Sequence, residues 1–337
     1  MKLDLHHKLF FTWLAWCGIG IFFSEYPLMA FQGFYPYRGE GLLTFLILTC
    51  FALSYWKVFD SLRPLGWIMA GICLFLFIAF VVIVYFWEGD YGDRSYAKNF
   101  FDRALLPDVA VASFACQTGA IMAYIHPLLG LIAALPLVDA ASRSGLIALF
   151  VSLTTFVILT KKTNLTISSK KLGKYCLVGI VVLGLSFLLV GKIVGMNQKL
   201  TSIPKIQTMG SGARSQWILQ GANLASRLPL TGFGLDTLSN YLQTPTGGQW
   251  KEMRRYISDR THNIMYDIIL QTGWVGFTML LLTLGYAVAI CVHHPDRHNI
   301  ACLCALIAWG IFAHANPHGM LGNSTALICL FGIRKTI

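Results

Sequence analysis

The chain consists of long apolar segments separated by short polar ones. Many of these apolar runs are roughly 17 to 25 residues long, the length that crosses a hydrocarbon core of about 30 Å. The fifth run and the last two are short for a full crossing. The pattern predicts an all-α integral membrane protein of about ten transmembrane helices, with candidate spans at 8–24, 41–56, 64–87, 104–124, 126–139, 143–160, 175–195, 264–290, 300–314 and 320–333.

Composition supports this fold class. Of the 337 residues, 56% are hydrophobic and only 12% are charged, whereas about a quarter of the residues of a soluble domain are charged. The first apolar run follows MKLDLHHK and has no cleavage site of small residues, so we expect it to remain as a helix. No internal repeat is visible in the sequence, which argues against a transporter built from inverted repeats.

The lysines and arginines of the short connections predict the orientation. If the N-terminus is cytoplasmic, the inner segments hold twelve of these residues and the short outer loops hold five, as the positive-inside rule requires. Both termini are then cytoplasmic. The predicted organisation is an N-terminal bundle of about seven spans at 1–195, an outer loop at 196–262, and about three further spans at 263–337.

The long outer loop is basic and has its own structural signals. It carries eight basic and three acidic residues, a net charge of +5, which suits an anionic ligand. An amphipathic helix is predicted from about Ser211 to Leu228, because apolar residues recur at helical spacing and Pro229 follows. The GFGLD segment predicts a turn, and a second short helix is expected near 235–243. The nine cysteines lie in or at the ends of apolar runs, so we expect neither disulfides nor a zinc site.

Several ionisable residues lie at the outer side of this topology. Arg143 begins the sixth span, Arg214 lies near the start of the amphipathic helix, and His262 precedes the eighth span. An arginine at a span end is also typical of an interfacial anchor, and a single histidine there is more often interfacial than catalytic. Asp267 differs, because a carboxylate inside a span is by default functional or paired, and Arg143 is a plausible partner. Pro317 argues against a metal site formed by the histidines at 314 and 318.

These residue types suit one kind of chemistry. A transferase that uses a lipid-linked sugar diphosphate must neutralise the charge that grows on the leaving diphosphate, with a metal ion on carboxylates or with arginine forks. The sequence has no Asp-x-Asp motif, but its outer side is rich in arginine. A neutral histidine could remove a proton from the acceptor hydroxyl. In the segment after this histidine, Asn263 is expected to cap the helix, and Gly273 and Gly276 to admit a neighbouring helix.

Three segments resemble the motifs of the O-antigen ligase family: SRSGLIAL at 142–149, GARSQWILQGANLASRLPLTGFG at 212–234 and THNIMYDIILQTGWVGF at 261–277. The resemblance implies transfer of a glycan from undecaprenyl diphosphate at the periplasmic face of the bacterial inner membrane, without a metal or other cofactor. It implies that Arg143 and Arg214 hold the diphosphate and that His262 is the base. Further residues expected to contact the substrates are Arg254, Arg255, Arg260, Asp267, Trp217 and His318.

The favoured function is an O-antigen ligase that moves glycan onto lipid A–core. An O-antigen polymerase or a protein O-oligosaccharyltransferase are alternatives within the family. A transporter of lipid-linked glycans is an alternative of another class, but it would be expected to bury charges near the midplane of several spans. Here the ionisable residues gather at the outer ends, at Asp108, Asp139, Arg143 and Asp267. The expected partners are the lipid-linked donor, lipid A–core or another glycan acceptor, and membrane lipids, but no nucleic acid.

Overall fold

The computed structural model describes residues 3–33, 40–91, 108–126, 129–139, 142–162, 218–242, 261, 263–313 and 319–335. In these ranges the chain forms helices and turns, and no strand. The helices are α1 (Leu5–Phe23), α2 (Pro27–Gln32), α3 (Leu42–Val58), α4 (Arg63–Tyr91), α5 (Asp108–Ile125), α6 (Leu129–Ile132), α7 (Ala134–Asp139), α8 (Arg143–Lys162), α9 (Ile264–His293), α10 (Arg297–Ala313) and α11 (Gly319–Gly332).

Most predicted spans correspond to one helix each. The exception among the described residues is the run at 126–139, which forms the two short helices α6 and α7. Pro136 explains the interruption, because proline has no N–H to donate and its ring collides with the carbonyl four residues earlier. That carbonyl belongs to Ile132, the last residue of α6. The predicted span at 175–195 lies outside the described residues.

Helix α5 is the centre of the bundle. Every residue from Val111 to Ala123 is buried, and α5 packs against α4, α8, α10 and α11. Its sequence holds five alanines together with Ser113 and Gly119, and such small residues allow helix backbones to approach closely. Helices from both sides of the long loop therefore contribute to one core.

Side-chain contacts define two ends of the bundle. At one end, the first turn of α1 meets the last turn of α11, where Nε2 of His6 lies 3.1 Å from the carbonyl oxygen of Leu330. At the same end the Arg297 guanidinium donates to the Ala123 carbonyl. We call this the Arg297 end. The opposite end, where α1 and α10 finish and α9 begins, is called the Asp267 end.

The surface of the bundle is strongly apolar. Side chains such as Phe22, Phe51, Phe75 and Phe150 are more than half exposed, which is unusual for a monomer in water and suits contact with lipid. Two segments, Ser144–Lys161 and Ile264–His293, are long and apolar enough to cross a membrane, and several shorter apolar helices accompany them. The described fold is thus all-helical and fits a membrane protein.

Candidate functional site

The first motif begins a helix through its serine. The Ser142 hydroxyl accepts a hydrogen bond from the Gly145 N–H at 3.1 Å, the arrangement of an N-cap. Arg143 is consequently the first residue of α8. Ser152 of α8 donates to the Cys304 carbonyl of α10, and Phe156 lies near Arg297 at the other end. Since α8 and α10 run antiparallel, the backbone of Arg143 lies at the Asp267 end.

The third motif begins with a compact set of hydrogen bonds. The Asn263 side chain accepts from the N–H groups of Met265 and Tyr266 at 3.0 and 3.4 Å, so the predicted N-cap of α9 is confirmed. One carboxylate oxygen of Asp267 accepts from both the N–H and the hydroxyl of Thr261, at 2.8 and 2.7 Å. The polar groups at the start of α9 therefore hold the two residues that flank position 262.

Helix α9 is interrupted at Gly273, which has φ 70° and ψ 175°, a conformation essentially restricted to glycine. The predicted span at 264–290 is thus a long apolar helix with a break at Gly273, and not a regular helix throughout. From Trp274 to His293 the chain has about 20 residues, roughly 30 Å of helix, enough to cross a bilayer. Asp267 lies on the half-helix before the break, and not one turn inside a continuous span.

The carbonyl groups freed by this break find donors outside α9. The Phe233 N–H donates to the Leu270 carbonyl at 2.8 Å and the Gly234 N–H donates to the Gln271 carbonyl at 3.1 Å. The Trp16 indole N–H of α1 donates to the Thr272 carbonyl at 2.8 Å. Because a buried carbonyl without a partner is costly, these bonds make the broken helix a stable structure.

The glycines of the second and third motifs pack against each other. Gly232 has φ 75°, and a Cβ there would lie 2.6 Å from the Gln271 carbonyl oxygen. A Cβ on Gly273 would collide with the Leu230 carbonyl oxygen. The expectation that Gly273 admits a neighbouring helix is thus wrong, because it admits the 230–234 turn. The expectation that Gly276 admits a neighbouring helix is confirmed, since a Cβ at Gly276 would lie 3.0 Å from Trp16 of α1.

A chain of buried polar groups extends from this turn into the bundle. The Asp236 N–H donates to the side-chain oxygen of Gln271 at 2.9 Å, and the Asp236 carboxylate accepts from the Glu40 N–H at 3.0 Å. The Glu40 carboxylate in turn accepts from the Asn323 amide at 3.0 Å, and the Trp309 indole N–H donates to Asn323 at 3.2 Å. The turn is thereby joined to the start of α3 and to α9, α10 and α11.

Aromatic rings cover the outer side of the same turn. The Tyr241 ring lies 4.3 Å from the Phe233 ring and contacts Tyr26, which precedes α2. Loss of hydration and the nearby Glu25 carboxylate raise the pKa of the Tyr241 hydroxyl above its usual value. The phenol therefore stays neutral and packs as part of this cover.

A cavity of about 110 Å³ adjoins the polar chain, between α1, α9, α10 and α11. Its polar lining is at the Asp267 end and comprises Glu40, Asp267, Gln271, Thr272 and Asn323. The remaining wall is apolar, with Phe10, Leu284, Leu327 and Leu330 among its residues. An apolar pocket with a few convergent polar groups is typical of a ligand site.

The described parts of all three motifs thus meet at one end of the bundle. Residues 128–281 match the sequence model of the O-antigen ligase family. This segment is therefore similar to the O-antigen ligases. The match confirms the resemblance and begins before the first motif, with the residues that lead into α6. Among curated proteins, no sequence matches the chain significantly.

This similarity supports a glycan-transferring enzyme of the ligase or polymerase type, with a lipid-linked glycan donor and a glycan acceptor. The helices and the family together indicate a membrane protein.

Within the matched segment, Asp267 is the predicted site residue whose side chain the structure describes. Its pairing with Arg143 stays a prediction, because only the backbone of Arg143 is described. The other predicted site residues lie outside the described residues: His262, Arg214, Trp217, Arg254, Arg255, Arg260 and His318. The described helix of the outer loop covers residues 218–225, within the predicted amphipathic helix, and the second short helix is a single 3₁₀ turn, Leu238–Asn240.

Sequence analysis missed the buried polar chain around the cavity. Its members are Glu40, Asp236, Gln271 and Asn323, and Thr261 at the start of α9 was also overlooked. Asn323 lies within an apolar run, and a polar residue in a span is a signal of function or pairing. Gln271 likewise lies within the predicted span at 264–290, whereas Glu40, Asp236 and Thr261 lie between spans or at a span end, where polar residues are common and carry no such signal.

Proposed function

We propose that the protein transfers a glycan from undecaprenyl diphosphate to an acceptor hydroxyl at the periplasmic face of the bacterial inner membrane. The favoured reaction is ligation of O-antigen onto lipid A–core. The observation that carries the proposal is the meeting of the three motifs at the Asp267 end, with the second and third joined by backbone hydrogen bonds from Phe233 and Gly234 to Leu270 and Gln271.

The distribution of charge supports the orientation. Among the described residues, the Arg297 end holds basic residues from five helices or their flanking segments, namely Lys8, Lys57, Arg63, Arg297, Arg334 and Lys335. Buried carboxylates occupy the Asp267 end. By the positive-inside rule the Arg297 end is then cytoplasmic, as are both termini, and residues 196–262 form the periplasmic loop between the two groups of spans.

Orientation is tested by labelling in a background without native cysteines. Single cysteines at Thr208 and Gly248 should react from outside with a membrane-impermeant thiol reagent, and one at Thr166 should not. Labelling at Thr166 alone would reverse the topology and remove the proposed periplasmic reaction.

The proposed chemistry has two parts, which are stabilisation of the negative charge on the diphosphate and removal of the proton from the acceptor hydroxyl. Arg143 and Arg214 bind the diphosphate through their planar guanidinium groups, which can each grip two phosphate oxygens. They stabilise the negative charge that develops as the glycosidic bond to the diphosphate breaks. His262 accepts the proton of the acceptor hydroxyl, because the pKa of histidine lies near working pH. The basic side chains of Arg254, Arg255 and Arg260, with Trp217 and His318, complete the binding surface.

A strain that lacks the gene distinguishes ligase from polymerase. Without a ligase, lipid A–core stays bare and long polymer accumulates on undecaprenyl diphosphate. Without a polymerase, lipid A–core carries one repeat unit and no ladder. We expect bare core with retained lipid-linked polymer when lipopolysaccharide is separated by gel and probed for the glycan. A core-plus-one band would assign the polymerase reaction, and an unchanged ladder would point to another acceptor, such as a pilin.

The role of the histidine is tested in the same strain. His262→Ala should restore no transfer, since removal of a general base costs about 10²- to 10⁴-fold, while the variant still binds the lipid-linked donor. Full complementation by this variant would exclude His262 as the base. Loss of the protein from the membrane would assign the residue a structural role.

A further inference from the structure

The residues on either side of position 262 are held by one buried set of hydrogen bonds. Thr261 is fully buried and Asp267 is 6% exposed. The Thr261 hydroxyl contacts three groups: the Asp267 carboxylate at 2.7 Å, the Asn263 carbonyl at 3.1 Å and the Asn263 N–H at 3.3 Å. The Asp267 N–H also donates to the Asn263 carbonyl at 2.9 Å. The backbone before and after position 262 is therefore joined to the first turn of α9.

The bond lengths show which contact dominates. A hydroxyl has one proton, and the carboxylate is both the nearer and the more strongly accepting partner, because hydrogen bonds to ionised groups are shorter and stronger. The same carboxylate oxygen takes the Thr261 N–H at 2.8 Å. Asp267 thus binds Thr261 through two donors, and the hydroxyl oxygen remains available to accept from Asn263.

We propose that Thr261 and Asp267 are positioning residues for His262, an inference that rests on the proposed function of His262 as the base. The two side chains hold the backbone on either side of position 262 in place. A residue outside the first turn of a helix has few intrahelical bonds of its own. Catalytic groups must be held within about 0.5 Å of their productive geometry, and a misplacement of about 1 Å can cost on the order of 10²-fold in rate.

The test compares substitutions that differ by one hydroxyl. Thr261→Val keeps the shape and the N–H but removes the hydroxyl, so kcat for transfer should fall about 10- to 100-fold with little change in KM for the lipid-linked donor. Thr261→Ser restores the hydroxyl and should recover most of the rate. Thr283→Val is the matched control, because Thr283 is also fully buried in α9 and bonds only to the Met279 carbonyl among its described contacts.

Substitutions of the carboxylate give a second, independent measurement. Asp267→Asn keeps an acceptor oxygen for Thr261 and should retain more activity than Asp267→Leu, which removes it. The pH at which transfer is half-maximal should be the same in Thr261→Val and wild type, because positioning changes the geometry of His262 and not its charge environment. Thermal unfolding of each purified variant measures how much of any loss reflects folding.

The outcomes separate this proposal from the function on which it rests. If His262→Ala is inactive but Thr261→Val has the same kcat as Thr283→Val, the positioning role of Thr261 is wrong, while the proposal that His262 is the base still stands. Equal losses in Thr261→Val and Thr261→Ser that follow the amount of folded protein would also overturn it. If His262→Ala itself transfers glycan normally, the proposed base is wrong, whatever the Thr261 variants do.

Discussion

Gly273→Ala should destabilise the junction between α9 and the 230–234 turn. At φ 70° and ψ 175°, a residue with a Cβ costs about 1–3 kcal/mol, and this Cβ would also collide with the Leu230 carbonyl oxygen. Relief of that collision moves the turn away and breaks the bonds from Phe233 to Leu270 and from Gly234 to Gln271. Each is worth about 0.5–1.5 kcal/mol net, so the expected loss is about 2–6 kcal/mol.

Two assays on detergent-purified protein measure this loss. Thermal unfolding should begin at a lower temperature in Gly273→Ala than in wild type, and limited proteolysis should cleave residues 218–242 faster. Gly285→Ala is the control in the same helix, because a Cβ at Gly285 meets no atom within 4 Å. Alanine favours a helix over glycine by up to about 1 kcal/mol, so this control should be neutral or slightly stabilising.

The reasoning would be refuted if Gly273→Ala unfolded at the temperature of Gly285→Ala and resisted protease equally well. That result would mean that α9 tolerates a side chain at position 273 and that the 230–234 turn does not require a glycine there. A variant that unfolds earlier but transfers glycan at the wild-type rate would show that the turn stabilises the fold without shaping the reaction.

Five further variants test the helix cap, the Trp16 hydrogen bond and the two arginines. Asn263→Ala should cost about 0.5–2 kcal/mol by removing the N-cap of α9, measured by thermal unfolding, whereas Asn263→Ser should cost less. Trp16→Phe removes the indole donor to the Thr272 carbonyl and should cost about 0.5–1.5 kcal/mol by the same assay. Arg143→Lys and Arg214→Lys should each abolish most transfer in a gel assay while the protein still inserts, because lysine keeps the charge but loses the fork; wild-type activity in both would make them interfacial anchors.

Local sequence was sufficient for much of the helical pattern. Apolar length predicted the helices of the described ranges to within a few residues at most ends, since a bilayer span needs about 20 apolar residues wherever its neighbours lie. Pro136 and the Asn263 cap act within a single helical turn, so their effects can be predicted without the tertiary structure. The three motifs, each made of residues close together in the chain, likewise indicated the resemblance that the family model at residues 128–281 confirms.

The break in α9 illustrates what local sequence leaves open. A glycine in an apolar run is compatible with a continuous helix and with an interruption, and the apolar pattern continues through Gly273. The interruption depends on the turn at Leu230–Gly234, some 40 residues earlier in the chain. This turn occupies the position that a side chain at residue 273 would take, and its N–H groups bond to the carbonyl groups that the break leaves free.

The sequence likewise predicted one part of the site and left the other part to the tertiary structure. Sequence named Asp267 as a carboxylate in an unusual place, but its described partner, Thr261, and its position before the break came from the structure. The chain from Asp236 through Glu40 to Asn323 joins residues separated by 196 and 283 positions. A single sequence can mark a polar residue within an apolar run, as it does Asn323, but it does not show which residue is its partner, because the pairs form only when folding buries them together.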